Sequence, residues 1–235
     1  MIQVCLNGAR GAGDGAAVPM SPAALAESAA AAVAAGAAEV HVHPKTPCGS
    51  DSLSPRVVGP AVEAIRAVVD VPVGVTTGAW AEPDPARRVE RVRSWTVLPD
   101  YASVNWHEDG AEEVAAALLD RGMGIEAGIR SGTDGARLFL NSPYASRVLR
   151  VLAEVVDPSA ETAGPTAHAL LAELGGAHGR PVLLHGQEAC TWPVLRLARS
   201  LGLDTRIGLE DVLVLPDGER AASNAQLVRA ALAGA

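Results

Sequence analysis

Short runs rich in Val, Ile and Leu alternate with longer Ala-rich amphipathic runs along the chain. Strands are predicted at 2–6, 39–43, 72–76, 101–105, 123–127, 148–153, 181–185 and 205–209. Helices are predicted between them at 22–35, 55–69, 84–95, 111–121, 133–140, 159–174, 192–201 and 223–233. Ser21-Pro22 and Ser54-Pro55 each place an N-cap before a Pro at the first helical position. Gly36, Gly122, Gly175 and Gly202 stand where helices should end. Eight strands and eight helices in strict alternation predict one (β/α)8 TIM barrel over residues 1–235. An open doubly wound sheet is the alternative, but it rarely needs eight units of such even length. Gly8-Ala9-Arg10-Gly11-Ala12-Gly13 also lacks the helix that follows a dinucleotide fingerprint. The longest non-periodic stretches, 7–20 and 44–54, follow strands one and two and are candidate active-site loops.

In a parallel barrel the active site lies at the carboxyl ends of the strands. Those ends carry Asn7, His41 and His43, Thr76 and Thr77, Asn105, Glu126, Glu154, His185, and Glu210 with Asp211. His41 and His43 are two apart on one strand, so their imidazoles share a face and can supply two metal ligands at once. Read alone, such a pair is better explained by unrelated surface or core histidines; its place among so many ionisable strand ends reverses that and favours a site. A third ligand is needed. Glu210 can reach the pair because strands eight, one and two are neighbours, and Glu126, Glu154 and His185 compete with it. Arg206 is placed to pair with an acid or to hold a substrate carboxylate.

Weaker signals read differently. Arg87, Arg88, Glu90, Arg91 and Arg93 form an exposed mixed-charge helix face, and Asp100, Glu108 and Asp109 read as solvated turn residues. His107 lies just past a strand, either touching ligand or at the surface. His168 and His178 read as surface, and Trp192 and Cys5 as packing residues.

Hydrophobic residues make up 49% of the chain but aromatics only 3%, so the core is built from aliphatics and Ala. The formal net charge of −8 disfavours nucleic acid and anionic membranes as partners. Three widely spaced cysteines make neither a disulfide framework nor a CxxC site, which fits a reduced, cytoplasmic compartment. No signal peptide and no apolar run of transmembrane length is read. No Ser or Cys is placed as a nucleophile.

Several segments together resemble the β-keto acid cleavage enzyme family, the group that includes the 3-keto-5-aminohexanoate cleavage enzyme. They are Leu6-Asn7-Gly8, Ala35-Gly36-Ala37 leading into His41-Val42-His43-Pro44, Thr76-Thr77-Gly78, and the run from Pro99 to Asn105. Gly124-Ile125-Glu126-Ala127-Gly128, Arg206-Ile207-Gly208-Leu209-Glu210-Asp211 and Asn224-Ala225-Gln226-Leu227-Val228 follow in order. The resemblance implies a (β/α)8 barrel, usually oligomeric, with a divalent metal, typically zinc, on His41, His43 and Glu210. It implies proton transfer by Asp211 supported by Arg206 and Glu126, with Asn7, Thr77 and Asn105 near the substrate. The implied reaction joins a β-keto acid with acetyl-CoA to give acetoacetate and a new acyl-CoA. Ala9-Arg10 stands where longer relatives are acidic, and Pro44-Lys45 where an Arg is usual; the exchanged charge points to a more acidic substrate.

Two other readings compete. A zinc hydrolase of the amidohydrolase type also uses His-x-His on a barrel, but on the first strand and with more histidines later. A barrel that binds a metal or small acid without turnover is the non-enzymatic reading.

Overall fold

The computed structural model describes residues 1–15 and 17–234. Ala16, within the predicted 7–20 loop, and Ala235, at the end of the predicted domain, lie outside the described residues. The strands are β1 (Ile2–Cys5), β2 (Glu39–Val42), β3 (Val73–Thr76), β4 (Tyr101–Asn105), β5 (Gly124–Arg130), β6 (Arg150–Val155), β7 (Val182–Gly186) and β8 (Thr205–Ile207). The helices are α1 (Pro22–Ala34), α2 (Pro55–Arg66), α3 (Pro85–Ser94), α4 (Ala111–Asp120), α5 (Gly135–Leu140), α6 (Ala160–Leu174), α7 (Thr191–Ser200) and α8 (Asn224–Leu232). All neighbouring strands pair in parallel, in the order β7-β6-β5-β4-β3-β2-β1-β8. Between β7 and β8 the ring closes through a parallel bridge from Leu183 to Asp204 and the Thr205 hydroxyl donating to the Leu184 carbonyl at 2.8 Å. The expected (β/α)8 barrel is the observed fold. Among the described residues, no helix is long and apolar enough to cross a membrane.

Period-two alternation sorts each strand into two faces. Val4, Val40, Val42, Val73, Val75, Ala102, Val104, Ile125, Ala127, Ile129, Val151 and Ala153 join the core beneath the helices. The alternate positions point into the barrel, where aliphatic layers are usual. Here they are mostly polar. Gln3 of β1 reaches across the barrel, donating from Nε2 to the Glu126 carboxylate of β5 at 2.9 Å and to the Tyr101 hydroxyl at 2.8 Å. Arg150 of β6 donates to Glu126 at 2.7 Å, pairs with Glu39 of β2, and lays its guanidinium 5.0 Å from the Tyr101 ring centroid. Gly74 is required beside this layer, because a Cβ there would lie 2.1 Å from the Tyr101 ring. The lower barrel is thus filled by an ionic layer centred on Glu126 and Arg150, and the upper barrel is left for the site.

Boundaries differ from expectation in three informative places. β5 runs to Arg130, not to 127, and β6 is shifted forward to include Glu154, so both side chains are held on strands rather than loops. β8 ends at Ile207, and 208–211 form a turn. The Ser21 hydroxyl caps α1 by accepting from the Ala24 amide at 3.3 Å, whereas Ser54 makes no side-chain cap on α2. On α3, Arg88 departs from the exposed face read for it. It is buried and pairs with Glu108 at 2.9 Å, while Arg87, Glu90, Arg91 and Arg93 are exposed as expected. Glu108 is correspondingly no solvated turn residue, since it also accepts from the Ala79 amide at 2.9 Å and from Asn105 at 2.8 Å. Asp100 and Asp109 are exposed.

Candidate metal centre and active site

The turn after β8 delivers Glu210 to the two histidines. Gly208 makes this turn possible, because any Cβ there would sit 1.8 Å from the Cys5 carbonyl oxygen of β1. Asn224, buried at the start of α8, holds the turn by accepting from the Leu209 amide at 2.8 Å and donating to the Leu6 carbonyl at 2.8 Å. Gly8, at φ +54, clears the path for Glu210, whose Cγ would lie 2.4 Å from a Cβ at that position. Glu210 Oε2 lies 3.8 Å from His41 Nε2, and its Oε1 lies 3.6 Å from His43 Nε2. One ligand atom from each of the three residues falls within 4.8 Å of the others. Donors held ~2.0–2.1 Å from a tetrahedral zinc stand roughly 3.3–3.5 Å apart, so the two Glu210–histidine distances need only a small contraction.

The donor chemistry also fits a cation. His41 and His43 are buried, and Glu210 Oε2 has no hydrogen-bond partner despite its burial. Burial lowers the His41 pKa to about 4, leaving a neutral imidazole with a lone pair for a metal at neutral pH. Burial opposes ionisation of Glu210, but Arg206, His43 and His41 outweigh it and hold its carboxyl well below the usual range. Asn7 fixes His43 from behind: it donates to the His43 carbonyl at 2.9 Å and accepts from the His43 amide at 3.0 Å. Asp51 lies 4.0 Å behind His43 Nδ1 and is ion-paired to Lys45 at 2.5 Å. Lys45 also donates to the Gly8 carbonyl at 2.7 Å, so its charge is consumed in the loop rather than offered at the mouth. Trp80 stacks on the outer face of His43, with ring centroids 5.6 Å apart and planes 13° from parallel.

Behind the histidines, one guanidinium nitrogen of Arg206 donates to Glu210 and to Asp211, at 2.8 Å each. Burial raises the Asp211 pKa to about 6 in spite of that cation, and its Oδ2 has no partner. His185 connects Asp211 to Glu154: its Nδ1 lies 3.5 Å from Asp211 and its Nε2 3.1 Å from Glu154. Burial works against the Glu154 charge, but the His185 hydrogen bond and nearby cations lower its pKa to about 2. A cavity of about 480 Å3 opens over this arrangement and is lined by His41, His43, Arg206, Glu210, Glu154 and Asn105, among others.

The sequence-predicted residues therefore divide. His41, His43, Glu210, Arg206 and Asp211 form one connected cluster. Asn105 lines the cavity above it. Thr77 turns away, donating to the Ser103 carbonyl at 2.6 Å, while its neighbour Thr76 lines the cavity. Asn7 acts on the His43 backbone rather than on the cavity. Glu126 belongs to the ionic layer below, and the facing Arg150 keeps its pKa low against the cost of burial. Arg10 does line the cavity, but it is paired with Glu188 and bonded to the Leu209 carbonyl at 3.1 Å. His107 lines the cavity as well; His168 and His178 are exposed, and Cys5 and Trp192 are buried. Three contributors were missed by sequence reasoning: Gln3, Arg150 and Trp80. Period-two alternation from Cys5 and from Glu154 could have flagged the first two as inward-facing.

The profile of the beta-keto acid cleavage enzymes matches residues 1–143 and 151–235. The chain belongs to that family. No curated protein matches it. Among solved structures, ObcA in a ternary complex with a C4-CoA adduct and oxalate superposes with a TM-score of 0.68 at 17% identity, covering 91% of this chain. The chain spans 62% of the ObcA chain. ObcA in a binary complex with oxaloacetate gives 0.67 at 17% identity, over 91% of this chain and 62% of that one. The type I 3-dehydroquinate dehydratase of Clostridium difficile gives 0.64 at 11% identity, over 97% of this chain and 90% of that one. At these identities the likeness is one of fold.

Proposed function

We propose that this family member cleaves a β-keto acid with acetyl-CoA, releasing acetoacetate and a new acyl-CoA, at a zinc ion on His41, His43 and Glu210. The observation that carries the reading is the convergence of two buried histidines and a carboxylate beside Arg206 and Asp211, in a chain matched by the family profile along nearly all its length. ObcA, captured with oxaloacetate and with a C4-CoA adduct, supports a keto acid and a CoA derivative as the reactants. A divalent ion, when bound, supplies Lewis-acid polarisation of the keto oxygen and stabilisation of developing enolate charge.

The protein side of the reaction follows from the cluster. Asp211, raised towards neutrality by burial, is the base whose free Oδ2 takes the proton from the acidic carbon between the two carbonyl groups. Arg206 orients that carboxylate and keeps Glu210 ionised. His185, bonded to Glu154, stands 3.5 Å from the same Asp211 oxygen that Arg206 binds, and Asn105 offers the cavity an amide. The bonds balance without a covalent enzyme intermediate: the keto acid's acyl group passes to CoA sulfur, and its two-carbon carboxylate end joins the acetyl group.

The test is acetoacetate release from a panel of β-keto acids, with and without acetyl-CoA, by zinc-loaded protein. The reading expects acetyl-CoA-dependent acetoacetate from at least one acid, abolished in Asp211→Asn. Zinc-loaded protein inactive across the panel contradicts it, as does hydrolysis of amides or esters without CoA.

A further inference from the structure

We propose that Arg130 binds a second carboxylate on the keto acid, so that the substrate is a β-keto dicarboxylic acid. The inference rests on the function proposed above and names the substrate class for the same cavity.

The cavity wall carries three guanidinium groups, and two of them are already matched. Arg206 is shared between Glu210 and Asp211. Arg10 is paired with Glu188. Arg130 has neither an ion pair nor a side-chain hydrogen bond among the described residues, though it is exposed at the cavity. It occupies the last position of β5, paired in register with Glu154 of β6, and alternation from Glu126 points it inward over the mouth. Glu154 does not satisfy it, being committed to His185 at 3.1 Å. Glu108, another acid of the same wall, is committed to Arg88 and Asn105.

Position decides what the free cation meets. β5 lies three strands from β2, so Arg130 faces the histidines from across the mouth. Leu152, the inward residue below Glu154, lines the cavity on that side and gives an alkyl chain an apolar surface. A keto acid with its reacting end at His41, His43 and Glu210 extends its side chain along Leu152 towards Arg130. The planar guanidinium fork accepts a carboxylate there with two parallel hydrogen bonds. CoA also carries anions, but its long pantetheine arm sets the phosphates far from the reacting carbon. The anion met inside is therefore the keto acid's own.

The experiment compares 3-oxoadipate with 3-oxohexanoate, matched in carbon number and ending in a carboxylate or a methyl group, on the wild type and on Arg130→Met. Arg130 has no structural partner, so the variant folds. The wild type is expected to favour 3-oxoadipate in kcat/KM. Arg130→Met should lose roughly 10- to 100-fold on that substrate, the range for a charge-assisted hydrogen-bonded contact, with 3-oxohexanoate and the KM for acetyl-CoA unchanged. A wild type that prefers 3-oxohexanoate, equal losses on both acids, or a change confined to the KM for acetyl-CoA overturns the proposal. Calorimetric binding of adipate and hexanoate to zinc-loaded protein separates the two readings. With no turnover of any keto acid, adipate binding weakened by Arg130→Met keeps the carboxylate site and removes the reaction. Turnover independent of Arg130 removes the carboxylate site and keeps the reaction.

Discussion

Replacing Arg206 with Met removes the one cation that two buried carboxylates share. Arg206, Glu210 and Asp211 are all nearly inaccessible, and a single nitrogen at 2.8 Å from each acid serves both. Breaking a buried ion pair from one side costs about 3–5 kcal/mol, because the surviving charge is left desolvated and unpaired. Met fills a similar volume, so little of the loss comes from a cavity. The pH dependence has a definite sign. Glu210 has a folded pKa held below its unfolded value, so its stabilising contribution is present above about 4.3 and fades as pH falls through the folded value. Asp211 has a folded pKa raised to about 6, so ionising it costs stability as pH climbs from its unfolded value through 6. Without Arg206 both acids move up, and the deficit of Arg206→Met is largest above pH 7 and shrinks towards pH 5 as the carboxylates take up protons. Urea denaturation of metal-free wild type and variant at pH 5 and pH 8 measures it. A difference below about 1 kcal/mol at pH 8, or one equal at both pH values, refutes the assignment of Arg206 as the shared counter-ion.

Glu126→Gln separates the lower ionic layer from the chemistry: it should cost about 3 kcal/mol at neutral pH, by the same buried-pair argument. Because the folded pKa of Glu126 is depressed, that difference should fade in urea titrations as pH falls from about 4.3 through the lower folded value, while zinc stoichiometry stays that of the wild type. Trp80 is half exposed and stacked on His43, so zinc addition should perturb tryptophan emission in the wild type and not in Trp80→Phe. Asn7→Ala removes both hydrogen bonds that hold the His43 backbone and should lower stability by about 1–3 kcal/mol, read by thermal unfolding without metal.

The barrel was legible because its outward strand positions are so regular. Val40-x-Val42 and Val73-x-Val75 pack under helices, and the same alternation puts His41 and His43 on the inside together. The five-residue cluster was legible for the same reason, since β8, β1 and β2 are neighbours in any closed barrel of this order. What stayed hidden depends on contacts between distant positions. Gln3 and Glu126 are 123 residues apart and meet only because the barrel closes, so Glu126 reads in sequence as one more acid at a strand end. Arg88 and Glu108 each look like solvated surface until α3 is laid over the β4 end, where they neutralise one another. Arg130 lies outside the strand predicted at 123–127, which stops short of Gly128 although Ile125, Ala127 and Ile129 carry the outward alternation on. That glycine is needed where a Cβ would lie 2.6 Å from the Asn105 side-chain oxygen.

His41, His43 and Glu210 are proposed to hold a divalent metal. Zinc content after loading and gel filtration tests it across the wild type and the variants His41→Ala, His43→Ala, Glu210→Ala, Glu154→Gln and His185→Gln. One zinc per wild-type chain is expected, retained in the last two variants and lost in the first three. Zinc retained in His41→Ala and His43→Ala, or lost only on changing Glu154 or His185, would place the metal elsewhere and contradict it.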